Sequence, residues 1–263
     1  MSSVTGDSSV RLGGLDVRVR HVRPPAPSDA PPVLVLHGWG ASIDAVGSIV
    51  EGLAGRLEVV AVDLPGFGES AEPPEPWDAA AFARFALAVA DELGLERFSL
   101  VGHSHGGRTG IVLAATHPER VARLVLTGAA GIKPKRKPSY YGRVAVAKAG
   151  RAVGTVGGAP GRRLQDRMRR RVASTDWLEA SETMRGTFRL LIAEDISAHL
   201  PDVKASTLLL WGTHDEDTPI WMGRQMEAAI PDAALVELDG GHFAYAERAG
   251  EFNRIALHFL SEA

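Results

Sequence analysis

After residue 32 the chain is punctuated by six short, almost uninterrupted apolar runs: VLVLHG (33–38), VVAVDLPG (59–66), FSLVGHS (98–104), RLVLTGAA (123–130), TLLLWGTHD (207–215) and ALVELDGGH (234–242). A strand with one face in water alternates apolar and polar residues. A run without alternation buries both faces, which is the habit of parallel strands. Helical patterns lie between these runs, as over 78–93 and 106–116. Strand–helix alternation predicts an α/β fold, a mostly parallel sheet with helices on both faces. Ahead of it, VRLGGLDVRVRHV does alternate. Leu15, Val17 and Val19 fall on one side and Asp16, Arg18 and Arg20 on the other. Gly13-Gly14 supplies the turn of an N-terminal antiparallel hairpin.

The rhythm breaks between 132 and 200, where no good strand and several helical patterns occur. At 263 residues and 45% apolar content, the chain suits one sizeable core, either as one large domain or as one domain with an insertion. The expected organisation is a core over 1–131 and 201–263, with a helical lid over 132–200. Such a lid would cover the C-terminal edge of the sheet, where open α/β sheets bind ligands. Its first part, 133–171, holds thirteen Lys/Arg and one acid, Asp166. A solvated helical face is the favoured reading. Leu164, Met168 and Val172 also form one stripe among arginines, which suits an anionic membrane surface or the guidance of an anionic substrate.

A net charge of −3 argues against a nucleic-acid partner, and the absence of cysteine excludes disulfides, thiolate catalysis and Cys-ligated metals. No G-x-x-x-x-G-K-[ST] or G-x-G-x-x-G is present, and no histidine pair has helical i, i+4 spacing. Neither cofactor nor metal is expected. The first residues contain no apolar h-region and no run has the length of a membrane span, so the expected location is the cytoplasm.

The chemistry concentrates at Gly102-His103-Ser104-His105-Gly106, between the apolar run FSLV and a helical pattern. G-x-S-x-G in a strand–turn–helix context is a nucleophile elbow. Glycines at Gly102 and Gly106 remove clashes that a Cβ would create, so the serine is lifted above the sheet edge. The helix beginning there aims N–H groups, including that of His105, at charge developing beside Ser104. A serine at neutral pH needs a base, and the base needs an orienting acid. Of nine histidines, His103 and His105 point away from the hydroxyl at so sharp a turn, and His21, His117, His199 and His258 lie in other segments. His242 follows the last strand, at the same edge as Ser104. The acid comes from Asp215, Glu216 or Asp217 after the penultimate strand. Asp215 is favoured as the first, with Asp217 the alternative or a helix-capping carboxylate before Pro219.

The order Ser104…Asp215…His242 resembles that of the α/β-hydrolase superfamily. The resemblance runs from about Leu12 to the C-terminus apart from the insertion. It rests on LHGWG (36–40), DLPGFGES (63–70), GHSHGG (102–107), and WGTHD with the later GGH. It implies that Trp39, after His37-Gly38, donates the second oxyanion N–H, and that the Asp63 loop shapes a turn near the site. Within the superfamily the chain is similar to lidded esterase-like and lipase-like enzymes, haloperoxidases and carbon–carbon bond hydrolases. A serine at the elbow separates it from branches with an aspartate nucleophile.

The expected function is therefore a serine hydrolase of small to medium carboxylic esters or related acyl compounds, its partner a small acyl substrate. Acyl transfer or carbon–carbon bond hydrolysis on the same triad is the alternative, and a ligand-binding protein with incidental hydrolysis is the alternative of another class. Tyr140, Tyr141, Trp177, Met184 and Phe188 are candidates for the pocket ceiling. Phe243 and Tyr245, beside the base, are candidates for its wall.

Overall fold

The computed structural model describes residues 4–133 and 180–261. Eight strands form one sheet: β1 (Val4–Leu12), β2 (Leu15–Arg23), β3 (Val33–Leu36), β4 (Val59–Val62), β5 (Phe98–His103), β6 (Val121–Thr127), β7 (Ser206–Gly212) and β8 (Ala233–Leu238). Their order is β1-β2-β4-β3-β5-β6-β7-β8. The hairpin β1/β2 and the β2/β4 pair are antiparallel, and every other pairing is parallel. This is the mostly parallel sheet expected from the apolar runs, with the antiparallel hairpin at its N-terminal edge.

The parallel strands alternate in side-chain direction, so a run with no polar positions feeds two cores. Leu34, Leu36, Leu100, Leu124, Leu126, Leu209 and Trp211 pack on one face. They meet helices α2 (Ala79–Glu92), α3 (His105–Thr116), α4 (Glu182–Ala193) and α5 (Ile220–Ala229). Val33, Val35, Val101, Val125, Leu208 and Leu210 face the other way, against α1 (Gly47–Ala54) and α7 (Ala249–Ser261), with the short α6 (Ala244–Glu247) between β8 and α7. The hairpin's polar side is not simply solvated. Arg18 pairs with Asp7, Asp44 and Glu69 and lies 3.6 Å from the buried Asp63.

Of the expected insertion, 132–133 and 180–200 are described. Ser181 caps α4 by accepting from the Met184 N–H. The helix docks on the segment after β4: Thr187 Oγ1 accepts from the Trp77 N–H, and Glu194 from the Ala79 N–H. Among the described residues, no helix is long and apolar enough to cross a membrane. Tyr140, Tyr141, Trp177 and nearly all of the basic run lie outside the described residues.

Candidate active site

Ser104 stands where β5 ends and α3 begins. Its φ of 52° makes it the single non-glycine with positive φ among the described residues. That conformation costs about 1–3 kcal/mol and persists only where its surroundings enforce it. The enforcement is visible on both sides. The Ser104 N–H donates to the Thr127 carbonyl, and the Ser104 carbonyl accepts from the N–H groups of Arg108 and Ala130. A Cβ at Gly102 would lie 2.6 Å from the Gly106 carbonyl, and one at Gly106 would collide with the Leu36 carbonyl. Serine is a favoured helix N-cap because its hydroxyl can take a first-turn N–H. Ser104 occupies that position in α3, yet its side chain makes no capping bond. The turn leaves both the hydroxyl and the first amides of the helix uncommitted to each other.

The loop after β3 is locked to the elbow. The Gly106 N–H donates to the His37 carbonyl at 3.0 Å. Leu64 N–H donates to His37 Nε2 at 2.9 Å, so the ring proton sits on Nδ1 and donates to the Gly38 carbonyl at 2.7 Å. Burial holds this imidazole below its usual pKa and therefore neutral. Because a peptide's C=O and N–H point in opposite directions, anchoring the Gly38 carbonyl turns the Trp39 N–H away from His37. Neither the Trp39 nor the His105 amide meets an acceptor among the described residues. The Trp39 and His105 rings lie 5.9 Å apart. Asp63 props the same loop, accepting from Ile43 N–H and Glu69 N–H.

At the opposite side of the elbow, His242 Nδ1 lies 2.8 Å from Asp215 Oδ2. Asp215 is buried, whereas Glu216 and Asp217 are exposed. Its other oxygen accepts from the Asp217 and Thr218 N–H groups, and Thr218 Oγ1 reaches Oδ2 at 2.8 Å. Burial pushes the Asp215 carboxyl up, but the bonds from His242 and Thr218 outweigh it and hold the group below the usual carboxylate range. Thr218 had no signal in the sequence beyond its place before Pro219. Its hydroxyl also lies 2.9 Å from the Gly128 carbonyl and ties the acid loop to the end of β6. No hydrogen bond joins Ser104 Oγ to His242 among the described residues.

Neither histidine beside Ser104 hydrogen-bonds its hydroxyl among the described residues, and each ring packs elsewhere. His105 is enclosed by Phe82, Trp39 and Phe67, and His103 lies against His242 and Tyr245. Burial, first of all, pushes His103 down to about 3 and His105 well below the ordinary imidazole range. Of the expected pocket residues, Phe188 meets Trp39 at a tilt with ring centroids 5.1 Å apart, and Phe243 is 48% exposed beside His242. Met184 is buried against Gly66. Tyr245 corrects the expectation of a wall residue: it is 1% exposed and bonds the Ala45 carbonyl within the second core, because α6 turns it inward.

Residues 31–249 match the model of a family described as alpha/beta hydrolase fold. The chain is 30% identical over 256 residues to a dihydrolipoyllysine-residue acetyltransferase component of an acetoin cleaving system from Cupriavidus necator, covering 93% of this chain and 67% of that protein. It is 28% identical to a 2-hydroxy-6-oxononadienedioate/2-hydroxy-6-oxononatrienedioate hydrolase from a Pseudomonas species, with 87% of each chain covered. Among solved structures, an enol-lactonase from Burkholderia xenovorans is similar at a TM-score of 0.75 and 25% identity, covering 97% of this chain and all of that one.

Proposed function

The chain belongs to the alpha/beta hydrolase fold family and is an enzyme of the hydrolase kind, and from that premise we propose that it is a serine hydrolase of small to medium carboxylic esters or related acyl compounds. The observation that carries this reading is the 2.8 Å contact of His242 with the buried Asp215, beside a serine held at φ 52°. Ser104 Oγ attacks the acyl carbon while His242 Nε2 takes its proton. An ionised Asp215 accepts from Nδ1–H, which leaves Nε2 as the basic nitrogen and stabilises the imidazolium. The N–H groups of Trp39 and His105 hold the oxyanion, helped by the positive end of α3. Collapse expels the alcohol, which leaves with the proton from His242. Water, deprotonated by the same nitrogen, then releases the acid and restores Ser104. The Ser104–His242 contact tightens when substrate occupies the site.

An uncharged acyl group fits the surroundings that the described residues offer. Trp39, Phe67 and Phe188 cluster beside the Trp39 amide. Arg108, one turn along α3, has its Nη1 engaged by the Leu191 carbonyl. The acetyltransferase name of one relative favours a second reading, transfer of the acyl group from Ser104 to an alcohol or amine. The oxo-acid hydrolase name of another favours carbon–carbon bond hydrolysis. Turnover of short p-nitrophenyl esters, lost in Ser104→Ala, tests the first reading. Faster p-nitrophenol release with new acylated product on adding alcohols or amines would favour transfer. Absence of turnover across a panel of short esters would contradict the ester reading.

A further inference from the structure

The last apolar run ends far from the elbow. β5 and β8 are three positions apart in the sheet, about 14 Å between strand axes at ordinary sheet spacing. His242 therefore comes near Ser104 only because the loop after β8 doubles back across the ends of β7 and β6. Glycines stand at the two crossings. A Cβ on Gly212, which ends β7, would collide with the Gly241 carbonyl, and a Cβ on Gly128, after β6, would lie 3.0 Å from His242 Nδ1. A glycine path lets the loop pass but does not hold its tip.

We propose that His103, the residue before the nucleophile, is a positioning residue for His242, holding its backbone through one hydrogen bond from the nucleophile's own strand. His103 Nε2 lies 3.0 Å from the His242 carbonyl. A carbonyl only accepts, so Nε2 carries the ring proton and Nδ1 is bare. Among the described residues no other donor meets that carbonyl. The two rings are in tilted contact, with centroids 4.7 Å apart and planes at 53°. The other nitrogen shows why this is more than packing. Nδ1 is buried without a partner and pressed towards Gly38, where a Cβ would lie 2.9 Å away. A phenyl ring would fill the space without burying an unpaired nitrogen, and an unpaired buried acceptor costs stability. The donor to the His242 carbonyl is what an imidazole adds over a phenyl ring there.

This inference rests on the serine-hydrolase reading, and the experiment separates the two. His103→Phe keeps a ring and removes the donor. His103→Gln places an amide N–H close to where Nε2 stands, and His103→Asn reaches only the place of Nδ1. Melting temperatures identify the folded variants, and should Phe fail to fold, the Gln/Asn pair carries the comparison. Fluorophosphonate labelling of the unaltered enzyme at Ser104 tests the underlying reading by itself. Given that labelling, Phe and Asn are expected to lower kcat and the labelling rate together by about 10–100-fold, the range that a misplacement near 1 Å produces. KM on a p-nitrophenyl ester should stay within about twofold, and Gln should recover most of the loss. Unchanged kcat and labelling in the Phe or Asn variant would overturn the proposal. Equal loss in all folded variants with a parallel rise in KM would also overturn it, leaving His103 a packing residue.

Discussion

Replacing Asp215 by asparagine changes one atom and, by the geometry of its pocket, reverses the hydrogen bond to His242. Oδ1 of Asp215 accepts from two backbone N–H groups, those of Asp217 at 2.9 Å and Thr218 at 2.8 Å. An asparagine must keep its oxygen there, because turning it would set an NH2 against two donors. The NH2 then faces His242 Nδ1 in place of Oδ2, now 2.8 Å away. A neutral imidazole meets that donor with a bare Nδ1 and carries its proton on Nε2, the nitrogen that should accept from Ser104. The base is present but protonated on the wrong side, with no carboxylate to stabilise its charged form. The corresponding aspartate-to-asparagine change in a serine-protease triad costs about 10⁴ in kcat, about 5 kcal/mol of barrier. The expected result is a fall of that order in kcat for Asp215→Asn on p-nitrophenyl butyrate, with the melting temperature nearly unchanged. Asp217→Asn, on an exposed side chain, should change kcat by less than about threefold. Retention of activity within tenfold in Asp215→Asn, or a larger loss in Asp217→Asn, would refute the reasoning.

Two further outcomes follow from the same contacts. Thr218→Val removes a hydroxyl that meets the Asp215 carboxylate and the Gly128 carbonyl. Chemical denaturation should show a loss of about 2–3 kcal/mol and steady-state kinetics a lower kcat, while Thr218→Ser should restore both; a fully active, fully stable valine variant would contradict this. Stability should also fall on acidification. His103 is pushed to about 3 by burial first, and His105 and His37 are depressed in the same direction. Below the usual imidazole pKa near 6.5 the unfolded chain binds protons that the folded one refuses, so each such group removes up to about 1.4 kcal/mol per pH unit until its folded pKa is passed. Asp215, depressed when folded, acts in the same direction as pH falls through the carboxylate range. Urea midpoints measured from pH 7 to pH 4.5 should decline steadily, and a flat profile would count against neutral buried imidazoles.

The sheet was legible because burial on both faces leaves a compositional mark. Leu34 and Leu36 serve one core and Val33 and Val35 the other, so no polar residue could stand in that run. The elbow was legible because Gly102 and Gly106 answer a steric demand with the one residue that meets it. Asp215 was favoured over Asp217 only by its place after β7, which is also the position from which a short loop can bury a carboxylate. The tie between His103 and the His242 carbonyl was not legible, since it depends on a loop crossing two strand ends. Thr218 was missed for a related reason: its hydroxyl acts through the Gly128 carbonyl, 90 residues away. Tyr245 misled because adjacency to His242 in sequence says nothing about which side of a short helix faces the core.

The central claim is that Ser104 is the nucleophile, and covalent capture tests it most directly. The protein should be treated with a fluorophosphonate, digested, and the modified peptide sequenced by mass spectrometry. The account predicts stoichiometric phosphonylation of Ser104 and none in a folded Ser104→Ala variant. Modification of a different residue, or labelling that persists in that variant, would contradict it.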